Sequence, residues 1–405
     1  MSAAPDESAP PLTAPRRQAL RRDLDELRRT VRRDDAEAYR HLRRMERWST
    51  LCSFAGYATA WIAPNPLSVL LMSQGNVSRW TILAHHIGHR AYDKVPGVAR
   101  RHTSQGFARG WRRFLDWPDL IEPEAWRFEH NVLHHYHTSE PFDPDLVERN
   151  LAPMRRIGAP RVLKYLVLFG IMCTWKWIYY APNTLWMSRR RRALKKTPDR
   201  STSARLDAVA AEPTRLPYHG AALLSPTSRG GLELWLRCIL PYVAYRFVLL
   251  PLVFLPLGGW AAASVLVNGL LAELVANVHS FALIVPNHAG SDLSRFEDTV
   301  EGRADFYHRQ ITTSANYQGG SEWGDFLMGY LNYQIEHHLW PDLPASAYRR
   351  LSPKVRAICE RHGVPYVIEP WSARFRKMVE VSVGDASMRR APAREDGAEG
   401  DARAA

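Results

Sequence analysis

Residues 332–341 read Asn332-Tyr333-Gln334-Ile335-Glu336-His337-His338-Leu339-Trp340-Pro341. Proline cannot continue a helix, so a helix over this stretch ends before Pro341. Within that helix His337 and His338 lie three and four residues after Gln334, which places all three side chains on one face. The stretch therefore predicts three donors to one metal centre.

Two further histidine clusters repeat this kind of spacing. His85 and His89 are four residues apart. His130, His134 and His135 have an i, i+4, i+5 arrangement. A single pair of histidines at i, i+4 is common by chance, but converging imidazoles suit iron, zinc and copper. Three such clusters can enclose two metal ions, so the sequence predicts a di-metal site.

The composition indicates a membrane protein with polar ends. Of the 405 residues 46% are hydrophobic, yet the mean hydropathy is −0.32, so the charge is concentrated outside the apolar runs. The net charge is +13, and only seven of the 54 basic residues are Lys. Arginine beside apolar spans is typical of a cytoplasmic membrane face, and nucleic acid is not an expected partner. The arginine bias also suggests a bacterial inner membrane.

The cysteines and the N-terminus exclude other classes. The four cysteines show no C-x-x-C pairing, which argues against a zinc ribbon, a dithiol redox motif and a disulfide framework. Metal donors must then be histidines. Residues 1–47 contain no apolar h-region, so a cleavable signal peptide is not expected.

The chain divides into three predicted parts. These are a disordered tail plus a basic amphipathic helix over 1–47, a membrane domain over 48–375, and a disordered tail over 376–405. The helix begins near Arg16, with apolar residues at 4-3-4 spacing: Leu20, Leu24, Leu27 and Val31. Two alternatives remain for it, because such a helix can lie on anionic lipid headgroups or pack on the rest of the protein.

Apolar segments predict two helical hairpins with four spans. The segments are 48–63, 67–89, 236–258 and 260–286. The turns between the arms are uncharged, whereas the N-terminal segment and 189–196 are rich in Arg and Lys. The positive-inside rule therefore places both termini and all three histidine clusters in the cytoplasm. We predict an all-α integral membrane protein whose cytoplasmic helical cap carries a His-rich di-metal site.

The segment 161–187 differs from these four. It is rich in aromatic residues and contains Lys164 and Lys176, which favours a helix in the membrane interface over one that spans. The following stretch, 189–235, begins with four arginines and is predicted to be a basic linker.

The three clusters resemble the histidine boxes of the membrane fatty acid desaturase superfamily, whose pattern is H-x(3–4)-H, H-x(2–3)-H-H and [HQ]-x(2–3)-H-H. Here the boxes are His85-His86-Ile87-Gly88-His89, His130-Asn131-Val132-Leu133-His134-His135 and Gln334-Ile335-Glu336-His337-His338. The resemblance covers residues 48–375. The third box, led by Gln and followed by Leu-Trp-Pro, is most similar to the acyl-lipid and front-end desaturase branch.

This resemblance implies a di-iron centre held mainly by imidazoles, with one further histidine from the end of the last span. His288 occupies that place, and His279 is its rival. His279 lies nine residues earlier, which is ~13 Å deeper along a helix. The implied metal ligands are His85, His89, His130, His134, His135, His288, His337 and His338.

Three further residues are predicted to take part in catalysis. Gln334 replaces the histidine of other branches, and it would bind a metal through water or act behind the ligands. Glu336 precedes a ligand, as does Glu129, and each would orient an imidazole of another element or solvate the cytoplasmic face. Asn316 resembles a family segment, with no role set by its spacing. The neighbouring His86 and His137 are expected to be structural or to support ligands.

The predicted function is oxygen-dependent desaturation of an acyl chain, with two iron ions as cofactor and O2 as co-substrate. The substrate would be a membrane lipid or an acyl thioester. The sequence has no His-Pro-Gly-Gly haem motif and no cysteine cluster, so electrons would come from a separate donor of the ferredoxin or cytochrome b5 type. The basic cytoplasmic face suits an acidic donor.

Three alternatives stay open at this point. A hydroxylase on the same scaffold would return oxygen to the substrate radical instead of removing a second hydrogen. A membrane zinc hydrolase would also use histidines, but zinc normally keeps three protein ligands and one open position, so eight donors are too many. A transporter or lipid-binding protein would predict that the histidines are dispensable.

Overall fold

The computed structural model describes residues 12–31, 34–194, 219–319 and 321–392, which are predominantly helical. Parts of three predictions lie outside the described residues. They are the N-terminal tail over 1–11, the linker over 195–218 and the C-terminal tail over 393–405.

Two helices replace the single amphipathic helix predicted near the N-terminus. They are α1, Ala14–Thr30, and α2, Asp35–Ala60. The side chain of Asp34 caps α2 by accepting a hydrogen bond from the backbone N–H of Glu37 at 2.9 Å. From there α2 runs without a break from the cap into the first apolar arm.

The apolar face of α1 is covered by protein. Leu20 and Leu24 are fully buried, and α1 packs against the helices Gly302–Thr312 and Ala345–His362. Of the two alternatives for this segment, the structure shows packing on the rest of the protein. The apolar side chains of α1 are therefore buried between helices and do not lie in the headgroup region.

The first hairpin is completed by α3, Pro66–Val77, a π-helical stretch, Ser78–Ala84, and α4, His85–Gly88. Its turn is closed by Asn65, whose side chain accepts a hydrogen bond from the Ser68 N–H at 2.8 Å. The two arms approach closely at Gly56. A Cβ at that position would lie 2.6 Å from the Met72 Cγ and 2.9 Å from its backbone nitrogen, so only glycine permits this contact.

The cap between the hairpins consists of short helices followed by one long helix. The short ones are α5, Arg113–Asp116; α6, Pro123–Phe128; the π-helical stretch Glu129–His134; α7, Val147–Asn150; and α8, Ala152–Arg156. Three consecutive parts form the long helix: α9, Arg161–Trp175; the π-helical stretch Lys176–Tyr180; and α10, Ala181–Leu194. The 3-10 turns are Arg100–His102, Gly110–Arg112 and His219–Leu224.

The second hairpin has a segmented first arm and a regular second arm. The first arm comprises α11, Arg229–Leu234; a π stretch, Trp235–Ile239; α12, Leu240–Val243; a π stretch, Ala244–Leu249; α13, Leu250–Val253; and a 3-10 turn, Leu255–Leu257. The second arm is α14, Gly259–Ile284, with a 3-10 turn, Val285–Asn287. Gly258 has φ +110°, a conformation that favours glycine, and makes the turn between them.

The turns of the two hairpins lie side by side. The Trp260 indole N–H donates to the carbonyl oxygen of Ile62 at 2.9 Å. The Asn268 amide donates to the Ala60 carbonyl at 2.9 Å and its oxygen accepts from the Asn65 N–H at 2.9 Å. Both hairpins therefore have their turns at the same end of the molecule.

Three helices in the described part of the chain are long and apolar enough to cross a membrane. They are Arg161–Arg192, Arg229–Leu257 and Gly259–Asn287. Both arms of the second predicted hairpin are among them, but neither arm of the first is, and Gln74, Asn76 and Arg79 lower the apolar character of the arm that contains them. The third is the segment expected in the membrane interface, which is also long and apolar enough to span. A predominantly helical fold with candidate membrane spans is confirmed, whereas the predicted number of four spans stays a prediction.

The remaining elements close the cap. The helices are α15, Gly302–Thr312; α16, Glu322–Leu327; a 3-10 turn, Leu331–Tyr333; α17, Gln334–Leu339; α18, Ala345–His362; and α19, Trp371–Val383. Two short parallel strand pairs join distant segments. They are β1, Ser294–Arg295, with β4, Arg389–Arg390, and β2, Asn316–Tyr317, with β3, Ile368–Glu369.

The predicted disordered tail from residue 376 is wrong over 376–392. Helix α19 continues to Val383, and β4 pairs with β1 beyond it. Met378 and Val381 are fully buried, which holds this segment on the cap. Its apolar residues alternate with charged ones, so its overall composition is similar to that of a disordered tail. The spacing of the apolar residues, however, fits an amphipathic helix.

Candidate metal centre

The structure brings the eight histidines named from the sequence into two adjoining groups. The first group, called group A, consists of His85, His89, His130, His135 and His337, and the second, group B, of His134, His288 and His338. Within each group the donor nitrogens lie within 4.8 Å of one another, and all eight side chains are buried. The rings of His135 and His338 stack with centroids 4.2 Å apart, so the groups are neighbours.

A π-helical stretch distributes the histidines of the second box between the groups. The backbone N–H of His135 bonds to the carbonyl of His130, five residues earlier, at 3.0 Å. This i to i+5 geometry turns His130 and His135 towards group A, while His134 points to group B. Such π stretches are rare and occur frequently at functional sites.

The prediction that the third box serves one metal centre is wrong. The stretch is helical as predicted and ends before Pro341, but His337 belongs to group A and His338 to group B. Adjacent side chains on a helix point about 100° apart, so two consecutive histidines can serve two sites. Gln334, one turn before His338, faces group B.

Hydrogen bonds to the outer ring nitrogens orient three of the histidines. The Nδ1 of His134 lies 2.9 Å from an Asp143 carboxylate oxygen, and that of His338 lies 2.9 Å from the Gln310 amide oxygen. The Nδ1 of His337 lies 3.2 Å from a tyrosine hydroxyl, that of Tyr348. Such contacts fix the tautomer and turn Nε2 inward. The three partners come from other elements, so spacing alone did not mark them.

The residues fit a pair of metal ions. The Nε2 atoms of His89, His337 and His338 are buried and have no hydrogen-bond partner among the described residues. A buried donor without a partner is costly, and a metal ion would satisfy several at once. At His134 burial lowers the pKa, but the Asp143 carboxylate outweighs it and raises the pKa above its ordinary value. Eight imidazoles without a thiolate suit iron, zinc or copper.

His288, and not its rival His279, is found in group B. It follows the 3-10 turn Val285–Asn287 that ends the α14 arm. The Gln334 Nε2 lies 2.9 Å from the His288 Nε2, and the Gln334 Oε1 is buried without a partner in the described structure. The glutamine is therefore in contact with group B at the place where other branches have a histidine.

Glu336 and Asn316 lie behind the third box. The Glu336 carboxylate accepts hydrogen bonds from the Asn316 amide at 2.9 Å and the Tyr366 hydroxyl at 2.8 Å. The Asn316 oxygen also accepts from the Ile335 N–H at 2.9 Å. Burial raises the pKa of Glu336 to about 7, although both hydrogen bonds lower it. Its expected pairing with an imidazole is wrong, because these bonds fix α17 instead.

The residues beside the boxes have separate environments. The His137 Nδ1 lies 2.9 Å from Glu140, whose carboxylate also pairs with Arg309 at 3.0 Å, so this histidine is part of a buried ionic cluster. His86 is buried next to His337 but belongs to neither group. Glu129 is fully buried and does not solvate the cap surface, and burial together with Asp145 raises its pKa.

An apolar cavity of about 260 Å³ reaches both groups. It lies between the long helix that begins with α9 and the C-terminal end of α14. Its aromatic and aliphatic walls include Trp80, Trp126, Ile171, Trp175, Ile178, Phe281 and Ile284. The histidines on its wall are His85, His130, His134 and His288. Sequence reasoning missed these wall residues, since their apolar character is common to every buried helix.

The family to which the chain belongs follows from a comparison with family models. The model of the family described as fatty acid desaturase matches residues 59–370, which is more than half of the chain. The chain belongs to the fatty acid desaturase family. The match contains all three histidine boxes and His288, so it confirms the resemblance drawn from the boxes.

Individual desaturases align with shorter parts of this family member. An NADPH-dependent stearoyl-CoA 9-desaturase of Mycobacterium tuberculosis is 32% identical over 133 residues, 31% of each chain. Fatty acid desaturase 3 of Bos taurus is 34% identical over 102 residues, 25% of this chain and 22% of its own. Delta(5) fatty acid desaturase A of Dictyostelium discoideum is 28% identical over 137 residues, 32% and 28% of the chains. Each alignment spans less than a third of the relative.

Proposed function

We propose that the protein desaturates a fatty acyl chain with dioxygen at a di-iron centre. The observation that carries this proposal is the apolar cavity whose wall includes histidines of both groups. Family membership and the named desaturases that align with the chain support the acyl substrate. An apolar cavity with few polar groups is a suitable site for a hydrocarbon chain.

The eight histidines of groups A and B would hold the two irons. When bound, the iron pair supplies the oxidising power, drawn from dioxygen, that removes hydrogen from an unactivated methylene. The chain itself supplies orientation. Asp143 and Gln310 hold the rings of His134 and His338. The aromatic walls of the cavity exclude water and fix the acyl carbons beside the centre.

Gln334, Glu336 and Asn316 have distinct proposed roles. Gln334 lines the cavity and touches His288, so it would orient that ring or bind a metal through its amide oxygen or a water. Glu336 and Asn316 act through α17, because their hydrogen bonds keep the helix that carries His337 and His338 in place.

The substrate would be an acyl lipid or an acyl thioester, and electrons would come from a separate ferredoxin or cytochrome b5 type carrier. An acyl lipid would have to enter the cavity from the bilayer. Helix α9, which lies beside the cavity, is exposed along much of its length and could face the lipid there. The +13 net charge favours an acidic carrier.

We infer four spans with both termini and the histidine centre in the cytoplasm, in a bacterial inner membrane. The adjacent hairpin turns support this arrangement. The long helix that begins at Arg161 would lie along the interface, because the cap holds it at several points. Lys164 donates to the Val383 carbonyl at 2.9 Å, Lys176 pairs with Asp119 at 2.7 Å, and α10 packs against α6.

Cysteine labelling tests this topology. Ile62→Cys and Leu257→Cys place thiols at exposed positions beside the two turns, without disturbing Gly258. An impermeant maleimide should label both from outside the cell, whereas Arg356→Cys on α18 should react only after the membrane is opened. Labelling of Leu257→Cys from the cytoplasmic side alone would contradict the inferred arrangement.

Lipid profiling tests the proposed activity. Expression in a host with a compatible reductant should produce fatty acids with one additional double bond, identified by mass spectrometry. Hydroxylated chains in their place would establish the hydroxylase alternative. An unchanged lipid profile in every tested host would refute the desaturase, provided that the protein purified from those hosts contains iron.

A further inference from the structure

A second opening lies on the solvent side of the histidine centre. We call it the aromatic groove and define it by Tyr136, Phe306, Tyr307, Leu339 and Trp340. It has a volume of about 510 Å³ and shares no residue with the apolar cavity. Its border consists of Arg28, Arg303 and Asp342, from α1, α15 and the segment after α17.

Two residues of the groove are direct sequence neighbours of ligand histidines, one in each group. Tyr136 follows His135 of group A, and Leu339 follows His338 of group B. Tyr136 is 48% exposed, although its two histidine neighbours in sequence are buried. Its ring stacks on Phe306 with centroids 5.8 Å apart.

The helices around the groove are strongly basic. Helix α1 contains six arginines against three acidic residues. Helix α18, which packs on α1, contains five Lys and Arg against one glutamate. Arg303, which borders the groove, is 53% exposed and pairs with Asp25 at 2.7 Å, and the same Asp25 pairs with Arg21, which is 40% exposed. Arg28 pairs with Asp342, so three arginines stand against two aspartates here and the rim keeps a net positive charge. A basic rim around an aromatic centre attracts and orients a negatively charged protein.

We propose that the aromatic groove is the docking site of an acidic one-electron carrier protein. This inference rests on the proposed function, because that reaction requires electrons from outside. In –CH2–CH2– + O2 + 2 H⁺ + 2 e⁻ → –CH=CH– + 2 H2O, the substrate provides two of the four electrons that reduce dioxygen. Two reduced carriers provide the others, one each, and leave oxidised. Because groove and cavity share no residue, carrier and acyl chain can be bound together.

The test measures binding to the iron-loaded enzyme in detergent by titration calorimetry. The probes are a soluble acidic [2Fe–2S] ferredoxin and the soluble haem domain of cytochrome b5. The groove variant is Arg21→Gln with Arg303→Gln. The matched control, Arg161→Gln with Arg376→Gln, removes the same charge from exposed positions on α9 and α19, which do not line the groove.

For the carrier that binds, we expect the groove variant to raise Kd about tenfold and the control to change it less than about twofold, since two rim charges contribute modestly and only where they face the partner. Equal effects of both variants, or no binding of either probe, would overturn the docking site. The iron content of each variant shows whether it is folded. If the double variant loses iron, the single variant Arg21→Gln is measured in its place.

Failure of the groove and failure of the proposed function give different results. Binding is measured without turnover, so an unaffected Kd in the groove variant contradicts the docking site even when the enzyme makes unsaturated product. An enzyme that binds the reduced carrier at the groove and yields no unsaturated product contradicts the desaturase assignment instead.

Discussion

Replacement of His338 with alanine is expected to abolish unsaturated product and to lower iron per chain while the protein still inserts in the membrane. His338 belongs to group B, stacks on His135 of group A and is held by Gln310. Alanine removes one nitrogen donor and the stacking of its ring on His135. Loss of a residue that only supports a ligand costs 10–100-fold, so loss of the ligand should lower activity by more than about 100-fold.

The matched control is His362→Ala. His362 pairs with Asp23 at 2.9 Å, in the contact between α1 and α18, and belongs to neither group. A partly exposed ion pair contributes about 0–1 kcal/mol, so iron content and activity should stay close to those of the wild type. Both variants are compared by metal analysis of purified protein and by product per enzyme. Full iron and full activity in His338→Ala would exclude this histidine as a ligand.

The second large effect is expected where the cavity is blocked and the metal site is left intact. Ile171 lies on the cavity wall, on α9, and is not in either histidine group. Ile171→Trp fills space that the acyl chain would occupy, so product from long chains should decrease about tenfold or more, a loss of ~1.4 kcal/mol or more in transition-state binding. Iron per chain should remain at the wild-type value.

Phe169→Trp is the control for this substitution. Phe169 is on the same helix, is 57% exposed and does not line the cavity. It should therefore leave activity unchanged. The measurement is the rate of double-bond formation on acyl chains of graded length, and shorter chains should suffer less in Ile171→Trp. A full rate with long chains in that variant would place the substrate elsewhere.

The histidines of the site could be predicted because their signal is local. Three boxes and a family resemblance named the eight histidines, and the structure gathers the same eight, although their metal binding stays a prediction. Their division into two groups could not be predicted, because it depends on a π-helical hydrogen bond from His135 to His130 that spacing does not report. The assumption of regular helical geometry placed the third box at one centre, whereas its two histidines fall in different groups.

Contacts between distant elements were also beyond the sequence. Asp143, Gln310 and Tyr348 orient ligands through folding of separate segments. The Glu336 carboxylate was expected near an imidazole, but β2 and the segment after α18 bring Asn316 and Tyr366 to it. The hairpins could be predicted because their apolar runs are continuous in the sequence. The packing of α1 and the order of the segment after residue 376 could not be predicted, because they depend on which distant residues cover their apolar faces.

Metal analysis of the purified wild-type protein tests the central claim most directly. The protein should be extracted from membranes without metal-binding tags and quantified by mass spectrometry, with unsaturated product measured on the same sample. We predict about two irons per chain, as expected for two groups of buried imidazoles, and product that rises with iron occupancy. A single tightly held zinc ion, or full activity in protein stripped of iron, would contradict the di-iron desaturase.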